Sequence, residues 1–296
     1  MLNSLQIESY RKDGYLVLED VLEPEQLATL RAITEEFIER SRLHTHSDDV
    51  FDLDPAHSAG NPRLSRIKLP HKQHPAFWKI VRSERVCSVL TSLLGADVRL
   101  HNSKLNTKPP GGGAAVEWHQ DWAFYPHTND DLLAVGIMLD DVTLDNGPLM
   151  VIPGSHCGEV LQHTANGVFS GAIDPHDPAF DVDRAVALTG RAGSMSVHHV
   201  RTLHGSAPNL SDRPRMLLFY ECGAADAWPI NGNASSYTGL NQQDFWDALQ
   251  ERMICGEQSL SPRLEKVPVL MPLPPAPDCS SIFRIQQSSG ARSAFV

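Results

Sequence analysis

The chain is poor in the features that hold small secreted domains or zinc-built domains together. Its 296 residues include five cysteines, Cys87, Cys157, Cys222, Cys255 and Cys279, odd in number and scattered, with no C-x-x-C pair. That spacing argues against a zinc site or a disulfide framework and fits a reducing cytoplasm. No uninterrupted apolar run is long enough to span a bilayer. The opening residues, Met1-Leu2-Asn3-Ser4-Leu5, lack a charged stretch followed by an apolar one, so no signal peptide is expected. Positive charge is the minority sign, with 25 Lys and Arg against 36 Asp and Glu and a formal net charge of −11. With no long basic run either, a nucleic-acid or anionic-membrane partner is not expected. No internal repeat is visible. These absences leave a reducing cytoplasm as the expected setting.

Apolar residues make up 41% of the chain, enough for a sizeable core, and the length suits one large domain with lobes. Tyr10 to Leu18 reads as a helix end, a stop at Gly14 and a short strand from Tyr15 to Leu18. Pro24 opens an amphipathic helix carrying Leu27, Leu30, Ile33, Phe37 and Ile38, to about Leu43. His44 to Gly60, with Asp48, Asp49, Asp52 and Asp54, reads as a polar loop with a solvated acidic cluster. Ser83 starts a helix through Val86, Val89, Leu90, Leu93 and Leu94, closed by Gly95. From about Asp97 to Gly223 the pattern turns to short strands: Leu132 to Leu139, Leu149 to Ile152, Ser194 to His199 and Arg215 to Tyr220. Helices first and strands after give an α+β fold with a barrel-like core. The expected division is a helical part over about 1–96, a core over 97–223 and a C-terminal helix (Gln242 to Met253) with a Pro-rich irregular arm (Pro268 to Pro277) over 224–296.

Within the strand-rich region stands His119-Gln120-Asp121, with His204 far downstream in His204-Gly205-Ser206. Two imidazoles and one carboxylate are the ligand set of non-haem Fe(II) oxygenases, which leave coordination positions open. Ligands at i and i+2 share one face of a strand but diverge on a helix. The motif therefore belongs on a strand or at its end, with the third ligand arriving from another strand. Eleven residues after His204, Arg215 enters the apolar run Met216 to Tyr220. A guanidinium in a buried strand needs an anion, and its planar fork suits a carboxylate; the far carboxylate of 2-oxoglutarate fits that role. Asn146-Gly147 and Pro153-Gly154-Ser155 read as turns. Of His198 and His199, one is expected to face the core and neither to ligate. Lys108-Pro109-Pro110-Gly111-Gly112-Gly113 lacks the Walker spacing and reads as a β-connection or lid. A second lid is expected over His44 to Pro62.

Taken together, Trp118-His119-Gln120-Asp121, Leu139-Asp140-Asp141, Asn146-Gly147, Ile152-Pro153-Gly154-Ser155-His156, His204-Gly205-Ser206 and Arg215 resemble the phytanoyl-CoA dioxygenase family, over roughly Asp13 to Gly223. The resemblance implies a double-stranded β-helix (jelly roll, cupin-like) core with flanking N-terminal helices, and Fe(II), 2-oxoglutarate and O2 as cofactor and co-substrates. It makes His119, Asp121 and His204 the iron ligands. It sets Arg215 and Ser206 on the C5 carboxylate of 2-oxoglutarate. Lys104 falls where the family places another co-substrate contact; it pairs either with 2-oxoglutarate or with an acidic substrate. Asn102, two residues earlier, joins it. Lys68 is a looser match, and Trp122 or Tyr125, just after the metal motif, is expected to line the substrate pocket. Many relatives carry a co-substrate-contacting tryptophan where this chain has Gly136 or Ile137, which implies extra room. Related halogenases replace the ligand carboxylate with a small residue, so Asp121 points to hydroxylation. The expected activity is hydroxylation, or another oxidation, of an unactivated C–H in a small organic metabolite, releasing succinate and CO2. Two other classes stand beside it: a non-catalytic jelly-roll binding protein with a vestigial site, and a Zn2+ or Mn2+ hydrolase or isomerase, in which Arg215 and Ser206 would have no task.

Overall fold

The computed structural model describes residues 1–230, 242–270, 275 and 281–295. Most of the Pro268 to Pro277 stretch lies outside them. Helix α1 (Ser4–Asp13) starts on a capping box between Asn3 and Gln6 and stops at Gly14, whose φ of 79° returns its N–H to the Tyr10 carbonyl. Strand β1 (Tyr15–Leu18) follows, then α2 (Pro24–Ser41), with proline in its first turn and Leu30, Ile33 and Phe37 buried. Short helices α3 (Pro70–Gln73) and α4 (Pro75–Val81) were not foreseen; α5 (Glu84–Leu94) was.

Two sheets form the core. The larger runs, in spatial order, β1, β11 (Met195–His199), β6 (Leu132–Met138), β13 (Arg215–Ala224), β4 (Val98–Lys108), β3 (Leu64–Lys68) and β2 (Phe51–Leu53), with β14 (Met253–Cys255) also on β4. The smaller runs β10 (Val186–Leu188), β7 (Leu149–Val151), β12 (His204–Ser206) and β5 (Val116–His119). A β8–β9 hairpin (Thr164–Ala165, Val168–Phe169) stands apart. All pairings are antiparallel. Every residue of β6 and β13 is buried, as apolar runs without alternation require of central strands covered on both faces. The two antiparallel sheets make the expected double-stranded β-helix (jelly-roll) core, with α1 to α5 before or beside it.

Three readings need correction. His44 to Gly60 is not all loop: β2 lies inside it, and Asp52 and Asp54 are buried, 3% and 6% exposed, against Lys68 at 3.0 Å and Arg63 at 3.3 Å. The acidic cluster is thus partly a set of structural ion pairs. The tail is more ordered than an arm: beyond α6 (Gln242–Glu251) lies α7 (Ile282–Ser288), which buries Ile282, Phe283 and Ile285. Gly136 provides no extra room, because a Cβ there would sit 2.7 Å from Ser196 Oγ and 2.9 Å from the Phe219 ring. Among the described residues, no helix is long and apolar enough to cross a membrane.

Candidate metal and co-substrate site

His119 is the last residue of β5, and Asp121 opens the turn that follows. His204 is the first residue of the neighbouring strand β12 and stands opposite His119 in the ladder. Strand pairing therefore brings together ligands 85 positions apart. One ligand atom from each of His119, Asp121 and His204 lies within 4.8 Å of the others, all buried. Asp121 Oδ1 is 3.6 Å from His119 Nε2 and 3.9 Å from His204 Nε2. Each imidazole engages a backbone carbonyl through Nδ1, Glu117 at 2.7 Å and Thr202 at 2.9 Å. That bond selects the tautomer whose Nε2 lone pair points at the shared centre, as the outer hydrogen bonds of metal-bound histidines do. The donor set thus fits a divalent iron. Burial alone would raise the Asp121 carboxyl, but the Lys104 charge, His204 and contacts from His119 and His198 hold it well below the usual range, ready to ligate.

The residue between the ligands was not singled out from sequence. Gln120 is fully buried; its side chain donates to the Arg201 and Glu159 carbonyls and accepts from Leu161 N–H, while its own N–H donates to His163 Nε2 at 2.8 Å. These bonds fix the turn that presents Asp121. The remaining nitrogen of His163 bonds the Leu161 carbonyl, so the ring is held neutral, and burial pushes its pKa down to about 3. His127 is pushed down to about 4 by burial and by His101. Both groups bind a proton below about pH 6.5 in the unfolded chain but not in the folded one. Their full contribution is present above that pH and is lost as pH falls towards 4. Chemical denaturation at pH 7 and pH 5 should show a loss of up to about 2 kcal/mol per group at the lower pH; equal stability at both would rule this out.

Arg215 heads β13 and is buried at 2% exposure. Its Nη2 donates to the Gly147 carbonyl at 2.6 Å and to Ser206 Oγ at 3.1 Å, while Nε has no partner. Burial lowers its pKa to about 9, partly offset by Asp140, so it stays charged at neutral pH. Opposite it in the ladder is Lys108, 2% exposed, whose ammonium donates to the Ser206 carbonyl at 3.0 Å and to the Ala207 carbonyl. Burial, and secondarily Arg215, push the Lys108 pKa well down. Two buried cations side by side call for an anion. Lys108 was read only as the start of a glycine loop; its signal was the alternation Lys104-x-Asn106-x-Lys108 along one strand face.

A cavity joins these groups, walled by Arg215, Lys108, Lys104, His198, Phe219 and Phe283 among others. Lys104 reaches it while paired to Glu221 at 2.7 Å, a buried carboxylate the sequence reading passed over. His198, 1% exposed, stands in the same wall with its ring 4.4 Å from that of His204. Asn102 does not reach the cavity; it stands opposite Glu221 one step beyond. Lys68 does not reach it either, being held by Asp52 and the Asp48 carbonyl. Trp122 is core: 1% exposed, its indole N–H donates to the Pro268 carbonyl at 2.6 Å. Tyr125 is the one that turns towards the ligands: burial and then the Asp121 charge push its phenol pKa well up, and its ring lies tilted against His101, centroids 4.5 Å apart. Neither expected lid segment contributes to the cavity wall; Ile282 and Phe283 of α7 do.

Comparison with known proteins agrees with this geometry. The profile of the phytanoyl-CoA dioxygenase family matches residues 10–217. A probable alpha-ketoglutarate-dependent hypophosphite dioxygenase of Stutzerimonas stutzeri is 38% identical over 290 residues, covering 96% of each chain. An ectoine dioxygenase of Bordetella parapertussis is 28% identical over 235 residues, covering 74% of each. Among solved structures, EctD from S. alaskensis with bound Fe superposes with a TM-score of 0.64 at 28% identity, covering 76% of this chain and 77% of that one. The same enzyme has been solved with 2-oxoglutarate and 5-hydroxyectoine, at a TM-score of 0.62. The chain accordingly belongs to the phytanoyl-CoA dioxygenase family and is a 2-oxoglutarate-dependent, non-haem iron dioxygenase.

Proposed function

We propose that this enzyme hydroxylates, or otherwise oxidises, an unactivated X–H bond of a small molecule, with Fe(II) held by His119, Asp121 and His204 and 2-oxoglutarate anchored by Arg215. The observation that carries the reading is the juxtaposition of the buried His119–Asp121–His204 group with a buried, charged arginine in one cavity. When bound, iron and 2-oxoglutarate supply oxygen activation, with succinate and CO2 as co-products. The chain does the rest. The carbonyls of Glu117 and Thr202 aim the two imidazoles. Lys104 helps keep Asp121 ionised. Arg215, with Ser206 beside it, receives the C5 carboxylate, and Lys108 adds its charge. Phe219, Ile282 and Phe283 exclude water from the reacting centre. His198 is not a ligand in this reading: His119, Asp121 and His204 already supply the two imidazoles and one carboxylate that would hold the iron.

Both named relatives act on small compounds, hypophosphite in one case and ectoine in the other. A P–H bond is therefore as admissible as a C–H bond. A vestigial binding protein has no use for the complete ligand group, and a hydrolase has none for Arg215 and Ser206. Incubation with Fe(II), 2-oxoglutarate and ascorbate in air should form succinate slowly without substrate and faster with the right one. No succinate above the apoprotein background would overturn the proposal.

A further inference from the structure

We infer that the substrate end of this cavity is built for an oxyanion, gripped by Arg66 with Asn106; this rests on the oxygenase reading above and names its substrate class. Arg66 lies in β3, opposite Asn106 of β4, and both line the cavity. Its Nε donates to Asn106 Oδ1 at 2.9 Å, and its guanidinium carbon lies 5.0 Å from the Phe283 ring centroid. Its Nη2 is buried with no hydrogen-bond partner. Burial lowers its pKa, and the carboxylates of Asp52, Glu221 and Asp121 oppose that shift. Each of those carboxylates is already committed: Asp52 to Lys68 at 3.0 Å, Glu221 to Lys104 at 2.7 Å, and Asp121 to the metal group. Arg66 is thus a half-buried cation, its Nη2 enclosed and without a dedicated anion, a state that is costly until one arrives.

The missing anion is not the far carboxylate of 2-oxoglutarate. Arg66 and Arg215 stand on strands either side of β4, so their backbones are about 10 Å apart across the sheet. Arg215 and Lys108 form one cationic end and Arg66 another. Lys104 and Glu221 neutralise each other. Asn106 keeps its amide N–H groups available beside the guanidinium, its carbonyl oxygen being taken by Arg66. A fork of arginine donors with an amide suits an oxyanion.

With the far carboxylate of 2-oxoglutarate assigned to Arg215, the anion at Arg66 is the substrate itself, carrying its own X–H bond: a phosphinate or phosphonate, or a short carboxylate. The balance is complete with the co-substrates already assigned. One atom of O2 enters X–H to give X–OH, and the other enters succinate as 2-oxoglutarate loses CO2. Four electrons reduce O2, two from the substrate and two from 2-oxoglutarate.

Anaerobic isothermal titration of the protein loaded with Fe(II) and 2-oxoglutarate tests this. The probes are sodium hypophosphite, sodium propionate and, as a neutral control, propionamide. One of the anions should bind saturably and the amide should not; which anion binds separates the phosphorus from the carboxylate source. Arg66→Ala should weaken that anion about thirtyfold or more. Arg66→Lys should recover part of the loss, and 2-oxoglutarate affinity should change less than about twofold, as the separate Arg215 end requires. Arg66→Lys and Arg66→Gln, with thermal midpoints, keep the test valid if the alanine variant does not fold. Saturable binding of neither anion, or unchanged anion binding in all Arg66 variants, overturns the inference while 2-oxoglutarate binding and slow succinate formation survive. Loss of those two in the parent protein would instead overturn the oxygenase reading.

Discussion

Replacing His119 or His204 by alanine is expected to abolish turnover while leaving the fold in place. Loss of the groups that merely orient metal-bound histidines typically costs 10- to 100-fold, so loss of a ligand itself should exceed about 100-fold in succinate formation. The two histidines face each other across β5 and β12, with ring centroids 4.1 Å apart, and either vacancy leaves a two-ligand site. The ladder bonds that hold the strands are made by backbone, so circular dichroism and the thermal midpoint should change little. The direct check is anaerobic Fe(II) titration beside the succinate assay. Near-full activity in either variant would mean that a different group holds the metal, and His198, 3.7 Å from Asp121 Oδ2, would be the first to examine.

Arg215→Ala should raise the 2-oxoglutarate requirement far more than that for iron. Truncating one partner of a buried charge pair costs about 2–5 kcal/mol, or about 30- to 4000-fold in affinity. The lower end is expected, because Lys108 remains beside the carboxylate and Gly147 and Ser206 lose only one donor. Iron affinity, read by the same titration, should hold. An unchanged 2-oxoglutarate affinity would sink the assignment. Arg213 would not inherit the role, since its side chain is 56% exposed and faces Asp145, which leaves Lys108 as the next residue to replace.

The legible part of the site was the part whose spacing is local or whose chemistry is rare. His119-x-Asp121 declares a strand end by its i, i+2 separation, and Arg215 declares itself by standing before five apolar or aromatic residues. Gly14, Pro24 and Gly95 marked element ends because caps and stops depend on near neighbours. What stayed hidden depends on which strand lies beside which. Lys104 meets Glu221 only because β4 pairs with β13, and Arg66 reaches the cavity only because β3 adds to β4. Lys68 was read towards the site and Arg66 was not, yet the buried Asp52 holds the first and the cavity admits the second. Trp122 and Tyr125 were indistinguishable in sequence; the short helical turn after Asp121 sends one into the core and the other towards the ligands.

The C-terminal helix α7 lies outside the span matched by the family, yet Gln286 bonds the Glu117 N–H at 3.0 Å and Phe295 stacks on Trp118, the residue next to His119. The proposed metal ligands, co-substrate anchor and Arg66 grip sit within the matched span, whereas Ile282 and Phe283 close the cavity from beyond it. One wall of the guest's chamber is thus written on a stretch of chain apart from the residues proposed to handle oxygen. Evolution, or a protein engineer, can reshape that wall without touching them.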